Sequence, residues 1–318
     1  MKEKIWSYLI HFSTNMWSDR TVSPKGTSLP GEAIYRDTLH WDEAVWDEVV
    51  AHLAKTGYNM LIIDVGDGIV YESHPELAVK GALTKAAFAE KLRQCRELGL
   101  TPIPKLNFST CHDAWLKQYA RMVSTPEYYK VVDDVITEVC ELFDSPAYFH
   151  LGMDEETYGH QRHYDYIVIR NHELWWHDVN RMFRLCDKLN TRPWVWSDYY
   201  WHNPELFVKN MSKDVLQSNW YYDASFDLQQ ENKDHVTYLS CFIDLEKLGF
   251  DQVPTGSNWS CEENMEGLMA FSKQHIHPDR LKGFMMAPWH FTIPSEKDFL
   301  LRGADLLTEA RKKLFPGE

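Results

Sequence analysis

One pattern recurs along the whole 318-residue chain: an amphipathic helix, a glycine, a short apolar run, then a polar loop. In residues 45–55, 86–98 and 242–248 the apolar side chains return at helical spacing, and Gly57, Gly99 and Gly249 follow, where a residue free to turn left-handed ends a helix. Strand-like runs occupy 5–10, 60–65, 101–106, 147–151, 194–196, 215–216, 252–254 and 283–287. Further helices fit at 126–143, 172–189, 204–211, 265–275 and 296–314. The sum is eight βα units of roughly 40 residues each, with the last helix closing the ring. This alternation predicts an α/β fold, a (β/α)8 TIM barrel, with a doubly wound open sheet as the alternative. No linker, low-complexity stretch or charge block interrupts the series, so residues 1–318 are expected to form a single barrel without a separate N-terminal domain.

Composition excludes several roles. Lys and Arg number 33 against 47 Asp and Glu, and the resulting charge of -14 repels phosphate backbones and anionic headgroups, so neither nucleic acid nor membrane is expected as a partner. No apolar run reaches the ~18 residues of a membrane span. Lys2 and Lys4 precede the run 5–10, but polar residues interrupt it and no small-residue cleavage site follows, so it reads as a strand and not a signal peptide. The six cysteines lack metal spacing, which fits a reducing cytoplasm. A homo-oligomer is compatible with all of this.

In a barrel of this type, function gathers where strands end and βα loops begin. Those positions carry His11, Asn15, Trp17 and Arg20 after the first strand, Asp64 and Asp67 after the second, and Asn107 and His112 after the third. The fourth supplies His150, Asp154 and Glu155, and the fifth Trp196, Asp198 and Tyr199. Asn219, Trp220 and Tyr221 follow the sixth, Asn258 and Trp259 the seventh, Trp289 and His290 the eighth. Carboxylates ringed by tryptophans suit a carbohydrate substrate, because sugar C–H faces stack on indoles while carboxyl groups move protons. A metal held by His160 and His163 with Asp154 is the weaker reading, since no His-Glu-x-x-His is present. No phosphate loop, dinucleotide fingerprint or nucleophile elbow occurs, and no cofactor or metal is expected.

His150-Leu-Gly-Met-Asp-Glu155 resembles the His-x-Gly-Gly-Asp-Glu signature of the family 20 glycoside hydrolases, the β-N-acetylhexosaminidases. Upstream, Ser73 to Leu77 with Gly81-Ala82 resembles that family's Ser-Tyr-Pro-Glu-Leu and Gly-Ala segments, and 99–107 with His112 resembles its Gly-Ile-x-Val-Ile-Pro-Glu-Ile-Asp stretch and pocket histidine. The likeness continues more loosely through Trp196-Ser-Asp198, 217–220 and 283–289. It implies a hydrolase in which Glu155 is the general acid/base and Asp154 orients a 2-acetamido group whose oxygen is the nucleophile, and the closed ring of aromatics predicts exo action. Trp196, Trp220 and Trp289 become pocket walls, with His11, Arg20, Asp64, Asn107, His112, His150, Asp198, Tyr221 and Trp259 as further substrate contacts.

The departures from the family pattern are specific. Met153 replaces the second glycine, and Lys105 and Asn107 replace a Glu and an Asp. No arginine follows the first strand directly, leaving Arg20 to reach in from the loop, and Phe291 stands in place of a hydroxyl-binding Glu. The Tyr-x-Asp that steadies the acetamido group is absent near Trp259 unless Tyr221 and Asp223 supply it. These changes predict retained glycosidase chemistry on an altered sugar, with Asp64 or Asp198 as the substitute nucleophile should the acetamido route fail. A barrel that binds glycans without turning them over and a metal-dependent sugar isomerase or lyase are the alternatives. The loop 158–171 is expected either to lid the pocket or to meet a second subunit.

Overall fold

The computed structural model describes residues 4–22 and 34–317. Lys2 lies outside these, as does the remainder of the proposed 1–318 span. The chain runs β1 (Ile5–His11), α1 (Glu43–Thr56), β2 (Met60–Asp64), α2 (Lys85–Glu97), β3 (Thr101–Lys105), α3 (Pro126–Leu142), β4 (Tyr148–His150) and α4 (His172–Lys188). It continues β5 (Arg192–Trp196), α5 (Tyr199–His202), α6 (Pro204–Asn210), β6 (Leu216–Ser218), α7 (Lys233–Lys247), β7 (Thr255–Gly256), α8 (Asn264–His275), β8 (Gly283–Met286) and α9 (Lys297–Leu314). All ladders are parallel, in the order β6-β5-β4-β3-β2-β1-β8-β7. Isolated bridges from Gln217 to Gln252 and from Trp220 to Thr255 join β6 to β7 and close the ring, which makes the fold a (β/α)8 barrel and removes the open-sheet alternative.

Caps explain where helices begin and end. Asp42 accepts from Val45 N at 2.9 Å to start α1, and Gly57 at φ 93° stops it. Asn232 caps Asp234 N and His235 N, so α7 starts well ahead of the apolar run at 242–248; its first turns are polar and carry no periodic signal. The run 252–254 lies in the barrel wall, joined by bridges, and the ladder proper falls just after it, at β7. In β3, Pro102 and Pro104 have no N–H to give on the side that faces β4, and pairing with β4 is confined to Lys105 and His150. The seam beneath the β4 loop is therefore thin.

Alternation divides each strand. Leu9, Ile62, Ile103, Trp194, Leu216, Val253 and Met285 point inward and fill the barrel. Their neighbours Tyr8, Ile10, Leu61, Ile63 and Val195 point outward and pack with the helices. At the C-terminal end of the interior the filling becomes polar: His11, Asp64, Lys105 and His150 share one register layer.

Candidate active site

This polar layer is the floor of the site. Lys105 Nζ donates to Asp64 Oδ2, and His11 Nδ1 lies 3.7 Å from the same oxygen, all three being buried. Removing two opposite charges from water costs several kcal/mol each, and direct pairing offsets this. Burial pushes the Asp64 carboxyl up while Lys105 opposes the rise. Burial, aided by the Lys105 charge, holds His11 down to about 3 and His150 well below its ordinary value, so both imidazoles are neutral.

Above the floor, the β4 loop folds in an unusual way. Gly152, Met153 and Glu155 take φ of 70°, 75° and 54°. For a residue with a side chain this region costs about 1–2 kcal/mol. At Gly152 a Cβ would fall 2.1 Å from Asn107 Oδ1 and 2.8 Å from Asn107 Cα, so only glycine lets the two loops meet. Met153 tolerates its conformation because its side chain is buried in the outer core, a gain of about 1.5–3 kcal/mol that offsets the strain. Asn107 ties the loop down: its Oδ1 accepts from Met153 N and Ser109 N, both at 3.1 Å, and its Nδ2 donates to Asp154 Oδ1 at 2.8 Å.

The loop sets two carboxyl groups in different surroundings. Asp154 is buried, whereas the Glu155 side chain is 28% exposed. His112 stands between them, Nδ1 3.3 Å from Asp154 Oδ1 and Nε2 3.4 Å from Glu155 Oε2, and His160 Nε2 lies 3.4 Å from Glu155 Oε1. Burial alone would lower His112, but the two carboxylates outweigh it and push the imidazole up to about 10. Burial likewise opposes ionisation of Asp154, yet His112, Lys105 and the Asn107 hydrogen bond hold it well below the usual carboxylate range. Asp198 goes the other way: burial and the nearby charges of Asp154 and Glu155 push it well above the usual range. Asp198 Oδ2 accepts from Glu155 N at 2.8 Å.

Asp154 and Glu155 open onto a cleft of about 490 Å³. Of the residues proposed from sequence, Asn107, His112, Asp154, Glu155, Trp220, Trp259 and Trp289 line it. His11, Asp64 and His150 lie in the floor beneath, and Trp196, 2% exposed, is packed between His150 and Trp289. Arg20 does not reach in: its Nη2 pairs with Asp165 Oδ1 at 2.5 Å. Tyr221 turns into the outer core, its hydroxyl donating to Ser225 O, and the cleft is lined instead by Tyr222, stacked on Trp220 at 5.1 Å. Alternation from Trp220 would have singled out Tyr222. Asp198 faces a second, smaller pocket.

The sequence reading named Trp17 and the loop 158–171 without assigning them as contacts. Trp17 lines the cleft, and His160, Arg162 and His163 bring the loop over it. A buried ion pair anchors that loop: Arg170 bonds both oxygens of Glu156, at 2.9 and 2.7 Å, and also reaches Asp178. Among the described residues, His112, Asp154 and Glu155 offer ligand atoms within 4.8 Å of one another, a set able to hold a cation, in place of the His160, His163 and Asp154 set considered from sequence. A proton on His112 would compete with such an ion at neutral pH. No helix among the described residues is long and apolar enough to cross a membrane.

No protein-family model and no curated protein sequence matches the chain. Solved structures do. The pneumococcal virulence factor StrH, described for N-glycan recognition and hydrolysis, aligns with a TM-score of 0.65 at 12% identity over 98% of this chain and 85% of that one. The GH20 β-N-acetylhexosaminidase of Streptomyces coelicolor aligns with a TM-score of 0.63 at 15% identity over 96% of this chain, which spans 64% of that enzyme. Dispersin B aligns with a TM-score of 0.61 at 12% identity, covering 87% of this chain and 96% of its own. The barrel has the fold of the family 20 hexosaminidases.

Proposed function

We propose that this chain, built on the fold of glycoside hydrolases, is a retaining exo-glycosidase in which Glu155 is the general acid/base and Asp154 orients a 2-acetamido group on the substrate. The observation that carries the reading is the contrast within the adjacent pair: Asp154 is held ionised and hydrogen-bonded, and Glu155 is partly exposed at the mouth of a cleft walled by Trp220, Tyr222 and Trp289. Glu155 gives its proton to the glycosidic oxygen as that bond breaks, and the acetamido oxygen closes on the anomeric carbon. Asp154 Oδ2, which has no protein partner among the described residues, takes the amide N–H and stabilises the charge growing there. Glu155, now a carboxylate, then removes a proton from the water that opens the cyclic intermediate.

Two features favour the acetamido route over a protein nucleophile. Asp64 is committed to Lys105 in the floor, and Asp198, whose carboxyl is pushed well above the usual range by burial and by the neighbouring carboxylates, lines the smaller pocket and not the cleft. Exo action fits the crowding of the cleft by Trp17, Trp289 and the 158–171 loop, and the six unpaired cysteines fit a cytoplasmic setting. The test is a panel of aryl glycosides. Turnover of 2-acetamido sugars, little of plain glucosides or galactosides, and inhibition by a thiazoline mimic of the cyclic intermediate support the reading. Efficient cleavage of plain glycosides with no thiazoline effect overturns the acetamido route, and tight binding without turnover of any member favours a glycan-binding barrel.

A further inference from the structure

Two imidazoles flank the Glu155 carboxyl. His112 Nε2 lies 3.4 Å from Oε2, and His160 Nε2 lies 3.4 Å from Oε1. On its other side His112 turns Nδ1 to Asp154 Oδ1 at 3.3 Å, yet this buried nitrogen makes no aligned hydrogen bond. The spacing is that of ligands to one ion: atoms about 2.0–2.1 Å from a tetrahedral zinc ion stand about 3.3–3.4 Å from one another. One atom each from His112, Asp154 and Glu155 lies within 4.8 Å of the other two. The side chains of Glu155 and His160, 28% and 49% exposed, have room to close further. The supports behind these groups are those that metal ligands use. Thr157 Oγ1 meets His160 Nδ1 at 2.8 Å and leaves Nε2 to face Glu155, and Asn107 Nδ2 donates to Asp154 Oδ1 at 2.8 Å. Beside His160, the buried Gln161 donates to Thr110 O and Val168 O, which fixes the loop that carries the imidazole over the cleft. Lys105 in the floor is already paired with Asp64, and a divalent ion balances the charges of the two carboxylates.

Mixed imidazole and carboxylate donors suit zinc, whereas magnesium keeps to oxygen ligands and its own waters. We propose that His112, Asp154, Glu155 and His160 form a zinc site, and that zinc is a reversible inhibitor of turnover. An ion held there occupies the carboxylate that must carry the proton and the one that must meet the substrate amide. Binding stands on the geometry alone, and the inhibition rests on the hydrolase reading above.

The experiment is a calorimetric titration of the whole chain with zinc chloride at about pH 8, where the competing proton on His112 is displaced more readily. Wild type, His112→Ala, His160→Ala and Glu155→Gln are compared, with melting temperatures to verify folding. The wild type is expected to bind zinc saturably in the presence of excess magnesium, and Kd to weaken about tenfold or more in His112→Ala and Glu155→Gln and about threefold in His160→Ala. No saturable binding, or a Kd within about twofold of wild type in every folded variant, overturns the proposal, the second result placing the ion elsewhere. Should His112→Ala not fold, Glu155→Gln decides by the same criterion. Zinc should also inhibit cleavage of a 2-acetamido aryl glycoside competitively, with an inhibition constant matching the wild-type Kd, and saturation of the site without inhibition overturns the inhibitory role. A wild type that turns over no glycoside sinks the hydrolase reading, while the calorimetry still decides the zinc site.

Discussion

Gly152→Ala adds one methyl group at the most crowded point of the site. At φ 70° the alanine carries about 1–2 kcal/mol of left-handed strain. Its Cβ would sit 2.1 Å from Asn107 Oδ1 and 2.8 Å from Asn107 Cα. The first clash could be relieved by swinging a side chain, but the second is with backbone, so one of the two loops must shift. Asn107 cannot shift and still serve Met153 N, Ser109 N and the Asp154 carboxylate. The hydrogen bond to the charged group alone contributes about 1.5–3 kcal/mol. Strain and that bond together predict a loss of about 2.5–5 kcal/mol in urea unfolding. Turnover by the folded fraction should fall about a hundredfold, because Asp154 and Glu155 are displaced together. A variant within about 1 kcal/mol of wild type and with unchanged kinetics would refute the claim that close approach of these loops sets the geometry of the pair.

Two further predictions follow from the charges. The His112 imidazole, raised from 6.5 to about 10, contributes stability that is fully present below pH 6.5 and lost as pH rises through about 10. The melting temperature of the wild type should therefore exceed that of His112→Asn at pH 6, and the gap should close toward pH 10; a gap that widens with pH contradicts the assignment. Because burial and the charges of Asp154 and Glu155 disfavour ionisation of Asp198, Asp198→Asn keeps an acceptor for Glu155 N and should cost less than about tenfold in turnover with no loss of melting temperature, whereas a loss above about a hundredfold would identify Asp198 as a nucleophile.

The repeating helix–glycine–strand grammar was readable because it is local. Gly57, Gly99 and Gly249, at φ of 93°, 84° and 82°, end their helices by backbone chemistry that a single residue carries. The start of α7 was hidden by its polar first turns, and α5 by its brevity. The site was partly legible for the same reason. Asp154 and Glu155 were found because they end an apolar run, but strand ends do not reveal depth. His11, Asp64 and His150 occupy one layer of the barrel below the cleft, and Trp196 packs against that layer. Arg20 is turned aside by Asp165, a partner far along the chain that no local pattern exposes. The choice between Tyr221 and Tyr222 depended on alternation alone, and the alternation begins at Trp220. Lys105, which stands where the family pattern has a Glu, is balanced by Asp64 and helps keep Asp154 ionised.

The role of Glu155 is tested most directly by its response to the leaving group. Wild type and Glu155→Gln are compared on a series of aryl 2-acetamido glycosides graded by the acidity of the phenol released. An acidic phenol departs without help, while a poor leaving group needs the proton that the amide cannot give. The deficit of Glu155→Gln should grow along the series, from small at the acidic end to about 10²- to 10⁴-fold at the other, with folding and inhibitor binding intact. A deficit of the same size for every phenol, or none, would contradict general acid catalysis by Glu155.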